Sequence, residues 1–251
     1  MLEPSPVQPR GGWTGQVVGR SAAPLREQVL ATIRRAILDF DLQPGQRLVE
    51  RELIEQTGVS RTTVREVIRE LTAEGLVTVV PQRGAVVSNP SPEEAADLYE
   101  VRRAVEGLIV SRFVERADDD AVAELRAAVR EFTTATAEGR SIHEMLDAKD
   151  AFYEVLMTGA GSEALRQILT SLQARVQLLR ATSLSMPGRP AMAAAELEEL
   201  VEAIAARDGE RAAVLCTGHI QEAAANGLVG LSQAARASLQ EETAAGTRAA
   251  P

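Results

Sequence analysis

Residues 58–77, GVSRTTVREVIRELTAEGLV, constrain the fold more tightly than any other stretch of the chain. Val64, Val67, Ile68 and Leu71 fall at i, i+3, i+4 and i+7, the stripe of a helix with one buried face. Ser60 is a good N-cap and Gly75 a stop signal, so both ends are marked. Arg61, Arg65 and Arg69 recur every four residues roughly opposite the stripe, and their guanidinium groups face outward whatever they touch.

The flanks limit the choices further. In residues 24–40, PLREQVLATIRRAILDF, the residues Leu25, Val29, Ile33 and Ile37 form a row that predicts an amphipathic helix ended by the turn LQPG. A short helix follows in VERELIEQTGV, with Leu53 and Ile54 inward and Thr57 and Gly58 at its end. After Gly75, LVTVV and GAVVSN are β-branched runs separated by PQRG, a hairpin with a basic tip. Two short helices across a glycine turn, then a hairpin, predict a winged helix-turn-helix of three helices plus a β-hairpin wing. The second helix of such a unit lies in the major groove with its N-terminal residues nearest the base edges.

From Pro92 the strand signals vanish, and helical periodicity recurs six or seven times to residue 243. The fold class is therefore mainly α: a winged helix-turn-helix over 21–90 and an all-α helical bundle over 91–243, with tails at 1–20 and 244–251. The first twenty residues are rich in Pro and Gly and lack the basic start and apolar run of a secretory signal, which predicts a flexible tail and a cytoplasmic protein. No apolar run nears the roughly 18 residues of a membrane span.

A net charge of −9 argues against a polyanion binder until it is divided along the chain. Residues 1–90 hold 11 Arg against 10 acidic groups, whereas residues 91–251 hold 16 basic groups against 26 acidic ones. A local basic face in the first half remains available. Ser60, Thr62 and Thr63 place hydroxyls at the helix start, where the dipole favours anions. Arg51 stands in the preceding helix and Arg83 at the wing tip. The competing reading is a solvated face laced by Glu66 to Arg69 pairing, with Glu70 and Glu74 nearby.

The order LQPGQRLVERELIEQTGVSRTTVREVIRELTAEGLVTVVPQRGAVV closely resembles the DNA-binding domain of the GntR family of bacterial transcriptional regulators. By that resemblance Arg51, Arg61 and Arg65 contact DNA phosphates or guanine edges, and Thr62 and Thr63 touch backbone or thymine. Arg83 with Gly84 approaches the minor groove. Arg69, a turn further on, is the weakest of the three arginines in the row.

The second half resembles the FCD type of effector domain of the FadR-like branch, through LYEVRRAVEGLIV (98–110), DAFYEVLMTGAG (150–161), SLSMPGRP (183–190), ELEELVEAIAARDGERAA (196–213) and GHIQEAA (218–224). Such domains are helical bundles that dimerise and bind a small carboxylate or other metabolite in a central cavity. Most also hold a divalent metal with one Asp and three His. Here the Asp position aligns with Lys149, the following His with Tyr153 and the next with Leu197, leaving His219 alone, so no metal cofactor is expected.

Lys149 is the only lysine among 27 basic residues. It reads either as a surface residue or, through the alignment, as a cation that anchors an anionic effector directly where the family keeps its metal. Arg102 matches the family's cavity-facing arginine, Tyr153 adds a hydroxyl donor, and Arg189 is a looser candidate. His219 reads either as a satisfied core residue or as part of that site. Cys216 reads as a small buried hydrophobe.

The expectation is a homodimeric, effector-responsive repressor that binds a short inverted repeat in double-stranded DNA. The linker SNPSPEE carries the signal, and helices such as AVAELRAAVREF offer apolar surface for self-association. Two rivals stay open: a DNA-binding protein whose bundle is a structural dimerisation module, and an enzyme, for which two histidines and one cysteine leave little chemistry.

Overall fold

A computed structural model describes residues 23–248, with side chains described over 25–232 except at 173. The tail expected at 1–20 lies outside the described residues. Helix α1 (Ala23–Leu38), α2 (Glu50–Thr57), α3 (Arg61–Glu74) and strands β1 (Val77–Val80) and β2 (Gly84–Val87) form the N-terminal unit. Six helices follow: α4 (Pro92–Arg116), α5 (Asp119–Ala137), α6 (Ile142–Ala160), α7 (Glu163–Leu184), α8 (Arg189–Ala205) and α9 (Gly209–Arg248). The helix assigned to α9 runs into the stretch read as a tail from 244.

The N-terminal unit is a winged helix-turn-helix. Gly58 closes α2 at φ 70°, a left-handed conformation that glycine adopts without a Cβ penalty, and the chain turns at once into the Ser60 cap of α3. Val64, Val67, Ile68 and Leu71 are all buried on the face that meets α1 and α2. Antiparallel β1 and β2 pair Val77 with Val87 and Val80 with Gly84. The segment after α1 runs beside β2, with Leu48 N donating to Ala85 O at 2.8 Å and Val87 N to Gln46 O at 2.8 Å. The wing is thereby tied back to the helices.

Leu25 corrects the sequence reading: it is 50% exposed, while Val29, Ile33 and Ile37 are buried together with Leu30 and Leu38. Each four-residue step overshoots a full turn by about 40°. Three steps carry Leu25 far enough around the helix from Ile37 to leave the buried arc.

In the bundle, α4 packs against α6, α7, α8 and α9, and α5 packs against α6 and α8. Val122, Leu125, Val129 and Phe132 are buried on α5. The apolar face of AVAELRAAVREF is thus spent inside the chain and not left for the self-association expected of it. The linker is short: Ser88 N still bonds Leu76 O at 2.9 Å, and Ser91 already caps α4 in a reciprocal box with Glu94. Further contacts between the units run from α1 to α6 and α7 and from α3 to α7. At the last of these Gly75 has φ 81°, and a Cβ there would lie 2.6 Å from Arg175 Nε.

Candidate DNA-contacting face and buried cation cluster

The cap of α3 is built as its sequence suggests. Ser60 accepts from Thr63 N at 3.2 Å, and its hydroxyl lies 2.9 Å from that of Thr63. Arg61 and Thr62 are exposed beside them at the positive end of the helix dipole. Arg65 is exposed on the next turn, held by α2 through Nε, which donates to Glu50 Oε1 at 2.9 Å and Oε2 at 3.0 Å. Arg51 is 78% exposed with Glu55 at 3.8 Å, and Arg69, Arg83 and Gly84 are exposed as well. Gln82 at φ 65° and Gly84 at φ 80° shape the turn that holds Arg83.

The acids on α3 have partners of their own. Arg26 pairs with Glu70, and Arg34 pairs with Glu74, its Nε donating at 3.1 Å. Both arginines come from α1, so these two carboxylates are drawn to the helix side, away from the N-terminal turn of α3. The Glu66 to Arg69 pairing of the solvated-face reading is not the arrangement that engages Glu70 and Glu74.

The bundle interior is charged. Arg102, Glu106, Lys149, Arg180, Arg189 and His219 are each 4% exposed or less. The reading of Lys149 as a surface residue is overturned, because α6 turns it inward with Phe152 and Tyr153. Lys149 Nζ lies 3.1 Å from His219 Nε2, and His219 Nδ1 lies 2.6 Å from Glu196 Oε2. A neutral imidazole satisfies both contacts by donating from Nδ1 and accepting at Nε2. Arg189 closes the chain with two bonds to Glu196, at 2.6 and 2.8 Å. Burial, then the guanidinium groups of Arg180, Arg102 and Arg189, push the Lys149 pKa well below the usual lysine range. Burial, then Lys149 and the arginines, push His219 well below its usual value. Both shifts favour the neutral forms.

Glu106 is the enclosed anion. Burial works to raise its pKa, but Arg102, whose Nε donates to Oε1 at 2.9 Å, and Arg180, with Nη2 at 3.5 Å, overcome this and hold it down to about 2. The guanidinium of Arg180 stacks on Tyr153, 3.8 Å from the ring centroid, and donates from Nη1 to Asp150 Oδ1 at 3.1 Å. Burial and the Glu106 charge raise the Tyr153 phenol above its usual range. Cys216 is 3% exposed, and burial pushes its thiol up to about 12, the behaviour of an inert packed residue. A cavity of about 250 Å³ opens between α6 and α7, lined by Asp150, Tyr153, Met157, Leu169 and Arg180 among others.

These side chains do not fit the divalent metal of the FCD pattern. Of the four positions that the family resemblance aligns with the metal ligands, three hold a lysine, a tyrosine and a fully buried leucine, and the remaining His219 has its Nε2 engaged by Lys149. Among the described residues no group of three His, Cys, Asp or Glu is placed to hold a metal ion.

Arg102, Lys149, Tyr153, Arg189 and His219 therefore gather in one region, and Glu106, Arg180, Glu196 and Asp150 join them without having been singled out. Glu106 was legible: Tyr99, Arg102, Glu106, Ile109 and Phe113 step by three or four along one buried stripe of α4, two of them charged. Arg180, among Leu178, Leu179 and Ala181 on α7, carried the same signal.

Comparison with known proteins matches two family models to the chain. Residues 25–87 match the bacterial regulatory proteins of the gntR family, and residues 97–222 match the FCD domain. The HTH-type transcriptional repressor RspR of Escherichia coli (strain K12) is 26% identical over 199 residues, 79% of this chain and 87% of that protein. The HTH-type transcriptional repressor GlaR of the same organism is 30% identical over 204 residues, 75% of this chain and 89% of that protein. The crystal structure of a GntR transcriptional regulator from Rhodococcus sp. RHA1 superposes with a TM-score of 0.67 at 26% identity, covering 81% of this chain and 97% of that one.

Proposed function

Because this chain belongs to the GntR family of bacterial regulatory proteins and carries an FCD domain, it is a DNA-binding transcriptional regulator, and we propose that it is a repressor relieved by a small anionic metabolite. The family's regulators are not enzymes, and among the described residues no helix is long and apolar enough to cross a membrane. The protein acts in the cytoplasm, where the DNA is. RspR and GlaR are both named repressors, which supports that sign of regulation.

On this reading Ser60, Arg61, Thr62, Thr63 and Arg65 enter the major groove, Arg51 takes a phosphate, and Arg83 with Gly84 reaches the adjacent minor groove. Two copies read an inverted repeat. Val101 and Leu108, exposed by 42% and 45% two turns apart on α4, are apolar surface suited to the homodimer.

One observation carries the effector reading: four basic side chains, Arg102, Lys149, Arg180 and Arg189, are enclosed in one bundle, and guanidinium nitrogens of the three arginines have no acceptor. An anion satisfies them without a metal. Tyr153 contributes its hydroxyl, and His219 orients Lys149 through their hydrogen bond. Binding moves the DNA-binding units only if the anion favours one dimer arrangement over the other. The linker and the contact of Arg175 with Gly75 are the routes for that preference.

The test is an electrophoretic shift series on an operator obtained by selection from random DNA. Arg61→Ala should lower affinity and relax preference at one base pair by about 1–3 kcal/mol. Carboxylates should weaken the wild-type complex, and Lys149→Ala should abolish that response while leaving operator binding intact. An operator complex indifferent to Arg61→Ala, or a carboxylate response that survives Lys149→Ala, refutes the respective assignment.

A further inference from the structure

The donors left over around Glu106 form two complete edges. Arg102 spends Nε on Glu106 Oε1, which leaves Nη1 and Nη2, the end of its fork, enclosed without an acceptor. Arg180 spends Nη1 on Asp150 Oδ1, which leaves Nε and Nη2, the side of its fork, in the same condition. Its Nη2 sits 3.5 Å from Glu106 Oε1, close enough for charge attraction without a hydrogen bond. Arg102 is 0% exposed and Arg180 4%.

Each of these edges presents two parallel N–H groups, the pattern a carboxylate accepts in bidentate fashion. Arg189 differs: both its Nη atoms are taken by Glu196, and only Nε is left. Enclosing a charged donor edge with nothing to accept from it is costly, so the arrangement favours an acceptor at each edge. One carboxylate satisfies one edge. Resting on the reading that the bundle takes an anionic effector, we propose that this effector is a short dicarboxylate, with one carboxylate on Arg102 and the other on Arg180.

The separation of the edges sets the length. Arg102 Nε and Arg180 Nη2 lie within 3.5 Å of the same Glu106 oxygen, so the two guanidinium groups are close neighbours and a short spacer suits them. Arg180 also lines the cavity between α6 and α7, whereas Arg102 is fully enclosed. Its stacking on Tyr153 fixes the plane of the outer fork before the ligand arrives. The selectivity follows from geometry: a monocarboxylate fills one edge and leaves the other bare.

Calorimetric titration of the full-length protein with succinate and adipate, against butyrate and hexanoate of the same chain lengths, tests this directly. At least one dicarboxylate should bind roughly tenfold or more tightly than its length-matched monocarboxylate, the scale of one added charge-assisted bidentate contact. Arg180→Lys keeps the charge and removes the fork, and should erase that margin. Equal binding of the two classes by the wild type overturns the proposal and leaves an anionic effector standing. So does an Arg180→Lys variant that weakens both classes alike, or inorganic phosphate binding more tightly than any dicarboxylate. Failure of every carboxylate to bind removes the anionic effector itself. The wild-type series decides the matter without the variant should Arg180→Lys not fold.

Discussion

Replacing Glu106 by Gln removes the one fully enclosed carboxylate among the described residues and keeps its shape, leaving Arg102 with an uncompensated charge and Arg180 with Asp150 alone. The structure sets the scale. Its two guanidinium neighbours outweigh burial and bring the Glu106 pKa from about 4.3 in an unfolded chain down to about 2. That difference corresponds to about 3 kcal/mol of folding stability, within the roughly 3–5 kcal/mol typical of breaking a buried ion pair. Because the folded-state pKa is depressed, the contribution is fully present above about pH 4.3 and is lost as pH falls toward 2. Urea unfolding of the bundle, followed by far-UV circular dichroism in a buffer free of carboxylates, should show the midpoint for Glu106→Gln falling by about 1 M at pH 7. The gap to wild type should then close as both are acidified. A variant within about 0.5 kcal/mol of wild type at pH 7, or a gap that holds its size below pH 4, would refute the account of Glu106 as the counter-charge of this cluster.

Lys149→Met tests the depressed lysine. With its folded-state pKa lowered, Lys149 takes up a proton on unfolding at any pH between that value and the unfolded-state one, so wild-type stability rises with pH toward about 10.4. The stability of wild type relative to the Met variant should therefore increase between pH 7 and 10, and parallel curves would place a charged lysine in the fold. The loss of the His219 hydrogen bond enters as a constant across that range. Arg175→Ala tests the coupling between the units: carboxylate affinity should stay within about twofold of wild type, while the carboxylate-induced change in operator affinity shrinks by about tenfold, a typical coupling energy. Gly75→Ala should act similarly and cost about 1–3 kcal/mol, since a Cβ there meets Arg175 at φ 81°. An unaltered operator response in both variants would exclude this contact as a route.

The winged helix was legible because each of its elements is specified within a few residues. The Ser60 cap, the Gly58 and Gly75 terminations and the Val64 to Leu71 stripe are local patterns, and the structure follows them. The single misreading there, Leu25, came from treating a row of four-residue steps as one face. In the bundle the helices were equally readable, yet the use of their faces was not. An apolar stripe on α5 has the same appearance whether it meets α6 and α8 or a second chain, and only the packed chain distinguishes them.

The charged cluster marks the boundary most clearly. Residue types at positions 102, 149, 153 and 219 were informative singly, through their resemblance to a family pattern and their departure from it. Their joint condition was not. Lys149 and His219 meet across 70 residues, and Arg180 reaches Asp150 across 30, and no periodicity in either helix encodes those distances. Sequence alone determined the order of helices, the caps, the wing and the basic face of α3, because hydrogen bonding and burial along a helix repeat every 3.6 residues. Tertiary structure decided which charges are shut away from water, which of them share a counter-charge, and which nitrogens are left over, because desolvation and Coulomb attraction depend on neighbours that only the completed bundle supplies.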